Sequence, residues 1–123
     1  MSMHPFRAAV EAGDEAAALA TLSPAVVFHS PAVHRPYEGR EAVAGLLHVV
    51  AETFEKFRYV SEWRDGPTTI LLFEANVGNR DLQGVDILAS GADGLIAEFT
   101  VMVRPLSGLQ ALAAAVAARL GVA

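Results

Sequence analysis

Asp86 is the residue of this chain best suited to chemistry, because it is a single carboxylate within an otherwise apolar strand pattern. Residues 84–88 read Gly-Val-Asp-Ile-Leu and lead into the glycine-rich turn 90–94. Side chains alternate across a strand, so Asp86 shares one face with Gly84 and Leu88. An acid among aliphatic side chains costs free energy unless it is neutral or paired. Asp86 is therefore either a protonated acid that donates a hydrogen bond to a ligand or a structural carboxylate tied to a buried partner.

His29 is the second candidate for chemistry. The ordinary pKa of a histidine, near 6.5, suits general-base catalysis at neutral pH. Strand alternation separates His29 from Phe28 and Ser30, so His29 reaches their face only if Pro31 bends the chain. We interpret His29 as a candidate base, and the alternative is a histidine at the sheet rim that bonds to backbone or water.

Composition excludes several classes of protein. The chain has 123 residues and is expected to form one domain, 1–123, without linkers or repeats. It has a net charge of -5 and nine scattered basic residues, which argues against a nucleic-acid partner. No apolar run approaches the roughly 18 residues of a membrane span, and no signal peptide is visible, so we expect a soluble, cytoplasmic protein. It contains no cysteine, and its histidines do not converge, so neither a metal nor another cofactor is expected.

Periodicity predicts an α+β fold. Helical spacing is found over residues 5–22, with a break at Gly13 and Asp14 where Asp14 restarts the helix as its N-cap. A short strand at 26–29, a loop at 30–38 and an amphipathic helix at 39–57 follow. Period-two strands at 59–64, 68–77, 82–89 and 95–104 form an antiparallel meander, and a last helix at 107–120 stops at Gly121.

The two faces of this sheet differ in polarity. The expected core residues are Leu71, Phe73, Ala75, Val77, Phe99, Val101 and Val103, and the opposite parity carries Glu74, Asn76, Glu98, Thr100 and Arg104. The outer face, with Thr100 and Met102, is the candidate surface for a homodimer, and the alternative is an ordinary solvated sheet.

Several short motifs occur in a characteristic order. They are Gly13-Asp14, residues 28–31 (Phe-His-Ser-Pro), residues 37–43 (Tyr-Glu-Gly-Arg-Glu-Ala-Val), Gly84-Val85-Asp86 before Asp93-Gly94, and residues 101–106 (Val-Met-Val-Arg-Pro-Leu). In this order the chain resembles the nuclear transport factor 2-like superfamily, and within it the SnoaL-like and ketosteroid isomerase-like members. The resemblance implies a curved, cystatin-like antiparallel sheet that forms a cone with helices around an apolar pocket, commonly in a homodimer.

The resemblance to ketosteroid isomerase carries over only in part. That enzyme uses a carboxylate base, a tyrosine and a protonated aspartic acid. Asp86 matches the position of the protonated acid, whereas Ser30 falls at the base position and Phe6 at the tyrosine position. Serine does not abstract a carbon-bound proton without a base of its own, and phenylalanine donates no hydrogen bond. The comparison therefore argues against steroid isomerisation by the three residues that ketosteroid isomerase uses.

The expected pocket residues are mostly aromatic. Tyr37 and Trp63 combine apolar area with a polar group, which suits a pocket rim. If Asp86 faces inward, some of the phenylalanines that would otherwise only pack the core must line its cavity. The candidate substrate-binding residues are Phe6, Ser30, Tyr37, Phe54, Trp63, Phe73 and Phe99.

Two classes of function follow from these residues. The first is a pocket protein that binds a small apolar molecule, or a non-catalytic dimeric scaffold. The second is an isomerase, cyclase or hydratase acting on an apolar carbonyl or polyketide-like compound, with Asp86 as the acid that polarises the carbonyl and His29 as the base. The missing base and tyrosine favour binding, and the inward acid favours a polarising site.

Overall fold

Four helices and six strands make up the part of the chain that this computed structural model describes, residues 2–121. The predicted domain, 1–123, includes Met1, Val122 and Ala123, which lie outside the described residues. The helices are α1 (Pro5–Glu11), α2 (Glu15–Ala20), α3 (Arg40–Thr53) and α4 (Leu106–Leu120). The strands are β1 (Leu22–His29), β2 (Tyr37–Glu38), β3 (Glu55–Asp65), β4 (Thr68–Val77), β5 (Arg80–Ser90) and β6 (Ile96–Arg104).

The six strands form one curved, unclosed sheet in the order β2-β1-β6-β5-β4-β3. Strands β3 to β6 follow one another in antiparallel pairs, which confirms the predicted meander. Strand β1 pairs in parallel with β6, which is possible because a long stretch of chain, and not a tight hairpin, connects the two strands. Helix α4 packs on β4, β5 and β6, and α3 packs on β1. The α+β class is confirmed.

The break in the first helical segment is present. Helix α1 ends at Glu11, and α2 begins after Asp14, whose side chain accepts a hydrogen bond from the Ala17 N–H at 3.0 Å. Gly13 has φ 71°, a left-handed conformation that glycine adopts at little cost. The break turns α2 into a separate short element beside β1.

The predicted helix at 39–57 is too long at its C-terminal end. Helix α3 ends at Thr53, Phe54 is extended, and β3 begins at Glu55. Phe54 and Phe57 continue the helical apolar spacing, but both rings pack on Phe73 of β4, at 5.6 and 5.1 Å. Lys56, at φ 53°, allows both rings to face the core from an extended segment. Tertiary packing of the aromatic rings thus overrides the helical pattern.

Strand β3 carries an irregularity that reverses its side-chain parity. Tyr59 pairs with Phe73, but Ser61 pairs with the adjacent Leu72, so β3 contains one extra residue at this point. A one-residue bulge moves every later side chain to the opposite face of the sheet. Trp63 consequently pairs with Ile70, a residue of the outer face, and is 54% exposed.

The core lies between the concave face of the sheet and the helices. Its fully buried members include Leu22, Val26, Val43, Leu71, Phe73, Leu88, Ile96 and Phe99. Of the core residues predicted by parity, the four on β4 are buried, whereas Val101 and Val103 are partly buried against the cluster. Within residues 2–121 no helix has both the length and the apolar character needed to cross a membrane.

Candidate functional site

A cavity of about 520 Å³ lies between the concave face of the sheet and helices α1 to α4. Its helical wall is aliphatic and includes Leu46, Leu47 and Val50 of α3 and Leu109, Leu112 and Val116 of α4. The strands contribute mainly aromatic rings to the other side. A volume of this size is typical of a site for one small molecule.

Two aromatic clusters face this cavity. In one, Phe28 lies between Phe99 and Tyr37, and Phe6 of α1 meets Phe99 edge-on at 5.2 Å. In the other, Phe57 stacks on Phe73 with ring centroids 5.1 Å apart and meets Tyr59 edge-on at 4.9 Å. Phe54 packs on both phenylalanines of the second cluster. The sheet side of the cavity therefore offers flat apolar surfaces.

Gly84 is required where the second cluster meets β5. A Cβ atom at Gly84 would lie 2.4 Å from Cζ of Phe73 and 2.7 Å from the backbone oxygen of Met102. The absence of a side chain lets the Phe73 ring lie against β5, on the same face as Asp86 and two residues away from it. Gly84 thus allows an aromatic ring to form the wall beside the acid.

Asp86 is the one buried carboxylate among the described residues, and it is only 6% exposed. Its strand neighbours on the same face are Gly84 and Leu88, as strand alternation predicts. Burial raises the pKa of the Asp86 carboxyl to about 7, and a hydrogen bond from Tyr59 opposes this shift. Both the neutral and the ionised form of Asp86 are accessible near neutral pH.

Tyr59 is a site residue that the sequence analysis did not identify. Its hydroxyl donates a hydrogen bond to Oδ2 of Asp86 at 3.0 Å, and both residues line the cavity. Burial and the neighbouring Asp86 raise the pKa of the Tyr59 hydroxyl, so Tyr59 stays protonated. A buried tyrosine hydroxyl needs a hydrogen-bond partner. An inward tyrosine on the strand after α3 was therefore the signal in the sequence that could have identified Tyr59 as a partner of Asp86.

The second oxygen of Asp86 is free within the described part of the chain. Oδ1 accepts no hydrogen bond from these residues. Every fully enclosed side-chain nitrogen or oxygen in the described chain has a hydrogen-bond partner, so Oδ1 is not fully enclosed. Because Asp86 lines the cavity, Oδ1 opens into it. The site thus presents one exchangeable hydrogen-bonding position in apolar surroundings.

A charged cluster lies behind Tyr59, on the side of α1. The Arg7 guanidinium lies 6.0 Å from the centroid of the Tyr59 ring, which is within the range of a cation–π contact. Arg7 also pairs with Glu11 at 3.1 Å and with Glu62 at 3.4 Å. Glu62 also forms a salt bridge with a second arginine, Arg64, at 3.0 Å. The cluster ties α1 to β3 next to Tyr59.

Six of the seven predicted substrate-binding residues line the cavity together with Asp86, namely Phe6, Ser30, Tyr37, Phe54, Phe73 and Phe99. Ser30 has a local structural task as well. Its Oγ accepts hydrogen bonds from the N–H groups of Ala32 and Val33 at 3.1 and 3.3 Å. Ser30 therefore shapes the loop that borders the cavity.

The structure corrects the other two positions. Trp63 lies on the outer face because of the bulge in β3, and it does not line the cavity. His29 follows the inward Phe28 on β1, so alternation turns it outward. The Nε2 atom of His29 lies 3.5 Å from Glu98, and the side chain is 40% exposed. Pro31 does not redirect His29, which therefore does not lie beside Asp86.

No group of three or more potential metal-binding side chains is present among residues 2–121. The other carboxylates on the cavity wall are Asp14 and Glu15 at the start of α2, and both are exposed. The polar chemistry of the buried part of the cavity is thus concentrated in Asp86 and Tyr59.

The comparisons with known proteins agree with this geometry. The family model of the SnoaL-like domain matches residues 4–99. A steroid delta-isomerase from Pseudomonas aeruginosa is 39% identical with a TM-score of 0.89, and the match covers 94% of this chain and 86% of that one. An uncharacterised protein with a cystatin-like fold from Silicibacter pomeroyi DSS-3 is 35% identical with a TM-score of 0.89, covering 97% and 87% of the two chains.

A de novo designed protein with a curved β-sheet shares the fold alone. It is 18% identical with a TM-score of 0.70, and the match covers 93% of this chain and 98% of the design. No curated protein matches the chain. The resemblance to the nuclear transport factor 2-like fold and to the SnoaL-like members within it is confirmed.

Proposed function

This chain belongs to the SnoaL-like domain family, and from that premise we propose that it binds a small apolar molecule carrying a hydrogen-bonding oxygen. The observation that carries the proposal is the free Oδ1 atom of Asp86 in an otherwise apolar cavity. A ligand that filled the cavity would bury apolar surface on all sides and satisfy this one polar atom. Pockets with a few well-placed polar groups in apolar walls commonly bind small molecules in this way.

The shape of the walls supports a flat, ring-containing ligand. The Phe57, Phe73 and Tyr59 rings form one packed surface, and Phe6, Phe28 and Phe99 form another. Aromatic side chains pack well against planar apolar groups by stacking and edge contacts. The candidate ligands are therefore cyclic ketones, phenols and steroid-like molecules.

A thermal-shift screen tests this proposal. Apolar ketones, steroids, phenols and epoxides are added to the wild type, to Asp86→Asn and Asp86→Ala, and to the control Asp65→Asn, which removes an exposed carboxylate. A ligand that binds only the folded chain raises the melting temperature. We expect hits on the wild type and on Asp65→Asn, with smaller shifts for Asp86→Ala relative to its own melting temperature. Equal shifts in all four proteins, or no hits in the wild type, would contradict the proposal.

A second candidate function is an isomerase, cyclase or hydratase that acts on an apolar carbonyl compound. The similarity that favours it is the 39% identity to the steroid delta-isomerase. Asp86 would act as the acid that polarises the carbonyl, and Tyr59 would hold its carboxyl group. The difficulty is the missing base and tyrosine, because the resemblance puts Ser30 at the base position and Phe6 at the tyrosine position. His29 does not replace the base, since it turns outward.

This enzymatic alternative is tested with a β,γ-unsaturated steroid ketone, whose conversion to the conjugated ketone changes its ultraviolet absorbance. Turnover by the wild type that is lost in Asp86→Ala would support the enzyme. If the ketone raises the melting temperature but is not converted, the chain is a binding protein for that class of molecule.

We also propose a second copy of this chain as a partner on the outer face of the sheet. Trp63, Ile70 and Ile87 lie side by side on adjacent strands, and next to them Leu72, Val85 and Met102 form a parallel row. Trp63 is 54% and Met102 57% exposed. Flanking charges, including the Arg58–Glu74 pair, surround this apolar area, as the polar rim of an interface does. A dimeric scaffold without a ligand is the remaining alternative.

A further inference from the structure

The two oxygens of the Asp86 carboxyl group have different surroundings. Oδ2 accepts the Tyr59 hydroxyl at 3.0 Å, whereas Oδ1 accepts no hydrogen bond from residues 2–121. Since Tyr59 stays protonated, it donates to Oδ2 whether Asp86 is neutral or ionised. The proton of a neutral Asp86 therefore belongs on Oδ1, the oxygen that opens into the cavity.

We propose that the proton of Asp86 selects the oxygen of the ligand, so that the protonated acid binds a carbonyl or a hydroxyl and the ionised form binds only a hydroxyl. A carbonyl only accepts hydrogen bonds, whereas a hydroxyl both donates and accepts them. A neutral carboxyl group has one O–H donor, whereas a carboxylate only accepts hydrogen bonds. Oδ1 consequently changes from donor to acceptor when Asp86 loses its proton, while the Tyr59 bond to Oδ2 remains. This inference rests on the proposed function, because it concerns the molecule bound in that cavity.

The groups around Asp86 allow this reversal. Tyr59 of β3 donates to it, and Arg7 and Glu11 of α1 act on Tyr59 rather than on the acid. From α2, Asp14 and Glu15 reach the cavity wall but are exposed. Tyr37 is the ionisable residue that β2 contributes. The described wall residues of α3, α4 and β6 are all uncharged, so no fixed charge near Asp86 holds it in one form.

Burial raises the pKa of Asp86 to about 7 in the unliganded cavity, so both forms of the site exist near neutral pH. The ligand then sets the balance by linkage. A bound ketone favours the protonated acid, whereas a bound alcohol hydrogen-bonds to either form. The same apolar skeleton would therefore bind in both oxidation levels, but only the ketone would lose its hydrogen bond as pH rises.

A matched pair of probes tests the inference. The ketone α-tetralone and the alcohol α-tetralol have the same bicyclic skeleton, and neither ionises in the working range. Their dissociation constants are measured by calorimetry on the wild type from about pH 5.5 to about pH 8.5. With a pKa of about 7 for Asp86, we expect α-tetralone binding to weaken about thirtyfold over this range and α-tetralol binding to change much less.

Three variants separate the role of the proton from a role in folding. Asp86→Asn keeps a donor and an acceptor but does not titrate, so both probes should bind with flat pH profiles. Tyr59→Phe removes the hydrogen bond that lowers the pKa of Asp86, so the loss of α-tetralone binding should move to higher pH. Asp65→Asn removes an exposed carboxylate outside the cavity and should leave the α-tetralone profile in place.

The outcomes distinguish this inference from the proposed function. Binding of both probes to the wild type with flat or parallel pH profiles would overturn the selection by protonation and leave the binding function standing. A loss of α-tetralone binding with rising pH that persists in Asp86→Asn would overturn the assignment to Asp86. If neither probe binds the wild type at any pH, while the protein remains folded by circular dichroism, both proposals fail for this class of ligand.

Discussion

At the scale of single residues, the site depends on a carboxyl group that the fold keeps away from water. Asp86 is 6% exposed, and the only hydrogen bond to its carboxyl group from the described chain comes from Tyr59. Burial raises the pKa because the ionised form loses more hydration than one hydroxyl restores. A buried carboxyl group of this kind lowers the stability of the folded chain at pH values where it ionises.

We expect Asp86→Asn to be more stable than the wild type above about pH 7 and similar to it near pH 4. The pKa of Asp86 is about 7 in the folded chain and 3.8 as its ordinary value. Between these values the unfolded chain loses the proton first, so the stability of the wild type falls as pH rises. The difference in free energy of unfolding should approach roughly 4 kcal/mol as an upper limit.

Urea unfolding of both proteins at a series of pH values measures this effect. Asp65→Asn serves as the control, because Asp65 is exposed at the end of β3. A constant difference between the wild type and Asp86→Asn from pH 4 to pH 8 would show that Asp86 does not carry a raised pKa.

At the scale of elements, α1 supplies both a wall and a support for the site. Phe6 packs on Phe99 inside the cavity, and Arg7 lies over Tyr59. The N-cap of this short helix is His4, whose Nδ1 accepts a hydrogen bond from the Phe6 N–H at 3.0 Å. Nδ1 accepts only when it carries no proton, so the cap requires the neutral form of His4. Burial and the nearby Arg64 lower the pKa of His4, which favours that form.

We expect His4→Ala to lose about 1 kcal/mol of stability at pH 8, and His4→Asn to recover most of this loss because asparagine caps helices well. The pKa of His4 in the folded chain lies below its ordinary value of 6.5. The stability that neutral His4 contributes is present above pH 6.5 and is lost as pH falls through the folded-state value.

Chemical unfolding at about pH 8 and about pH 5 compares the three proteins. The advantage of the wild type over His4→Asn should shrink at the lower pH. If the wild type is no more stable than His4→Ala at the higher pH, His4 does not stabilise α1 as its N-cap.

At the scale of the whole molecule, the sheet has one apolar face toward the cavity and a second apolar area on its outside. The outer rows of Trp63, Ile70 and Ile87 and of Leu72, Val85 and Met102 run across the meander strands. Exposed apolar patches of this kind mark interaction surfaces. A twofold dimer would bring the same patch of both copies together.

We expect Trp63→Glu and Met102→Glu to convert a dimer into a monomer, because each change would bury a charge in the interface. Val33→Glu is the matched control, since Val33 is 48% exposed on the loop beside the cavity rather than on the sheet. Analytical ultracentrifugation measures the mass of each protein. A wild type that is monomeric at micromolar concentration, or a dimer that both sheet variants leave unchanged, would contradict this interface.

Features that depend on neighbours along the chain could be predicted from the sequence alone. Period-two alternation placed Asp86 on the inward face, and turn residues separated the strands of the meander. The capping pattern at Asp14 and the left-handed Gly121 likewise follow from local chemistry. These patterns, with the motifs of the SnoaL-like domain, were sufficient to identify the fold.

The residues that surround Asp86 depend on packing between elements that are far apart in the sequence. Helical spacing extended α3 to Phe57, but packing on Phe73 ended it at Thr53. The bulge in β3 turned Trp63 outward and left Tyr59 inward, where its hydroxyl meets the acid. Contacts between residues far apart in sequence carry little signal in local periodicity, because register and bulges are set by the packing of the whole sheet.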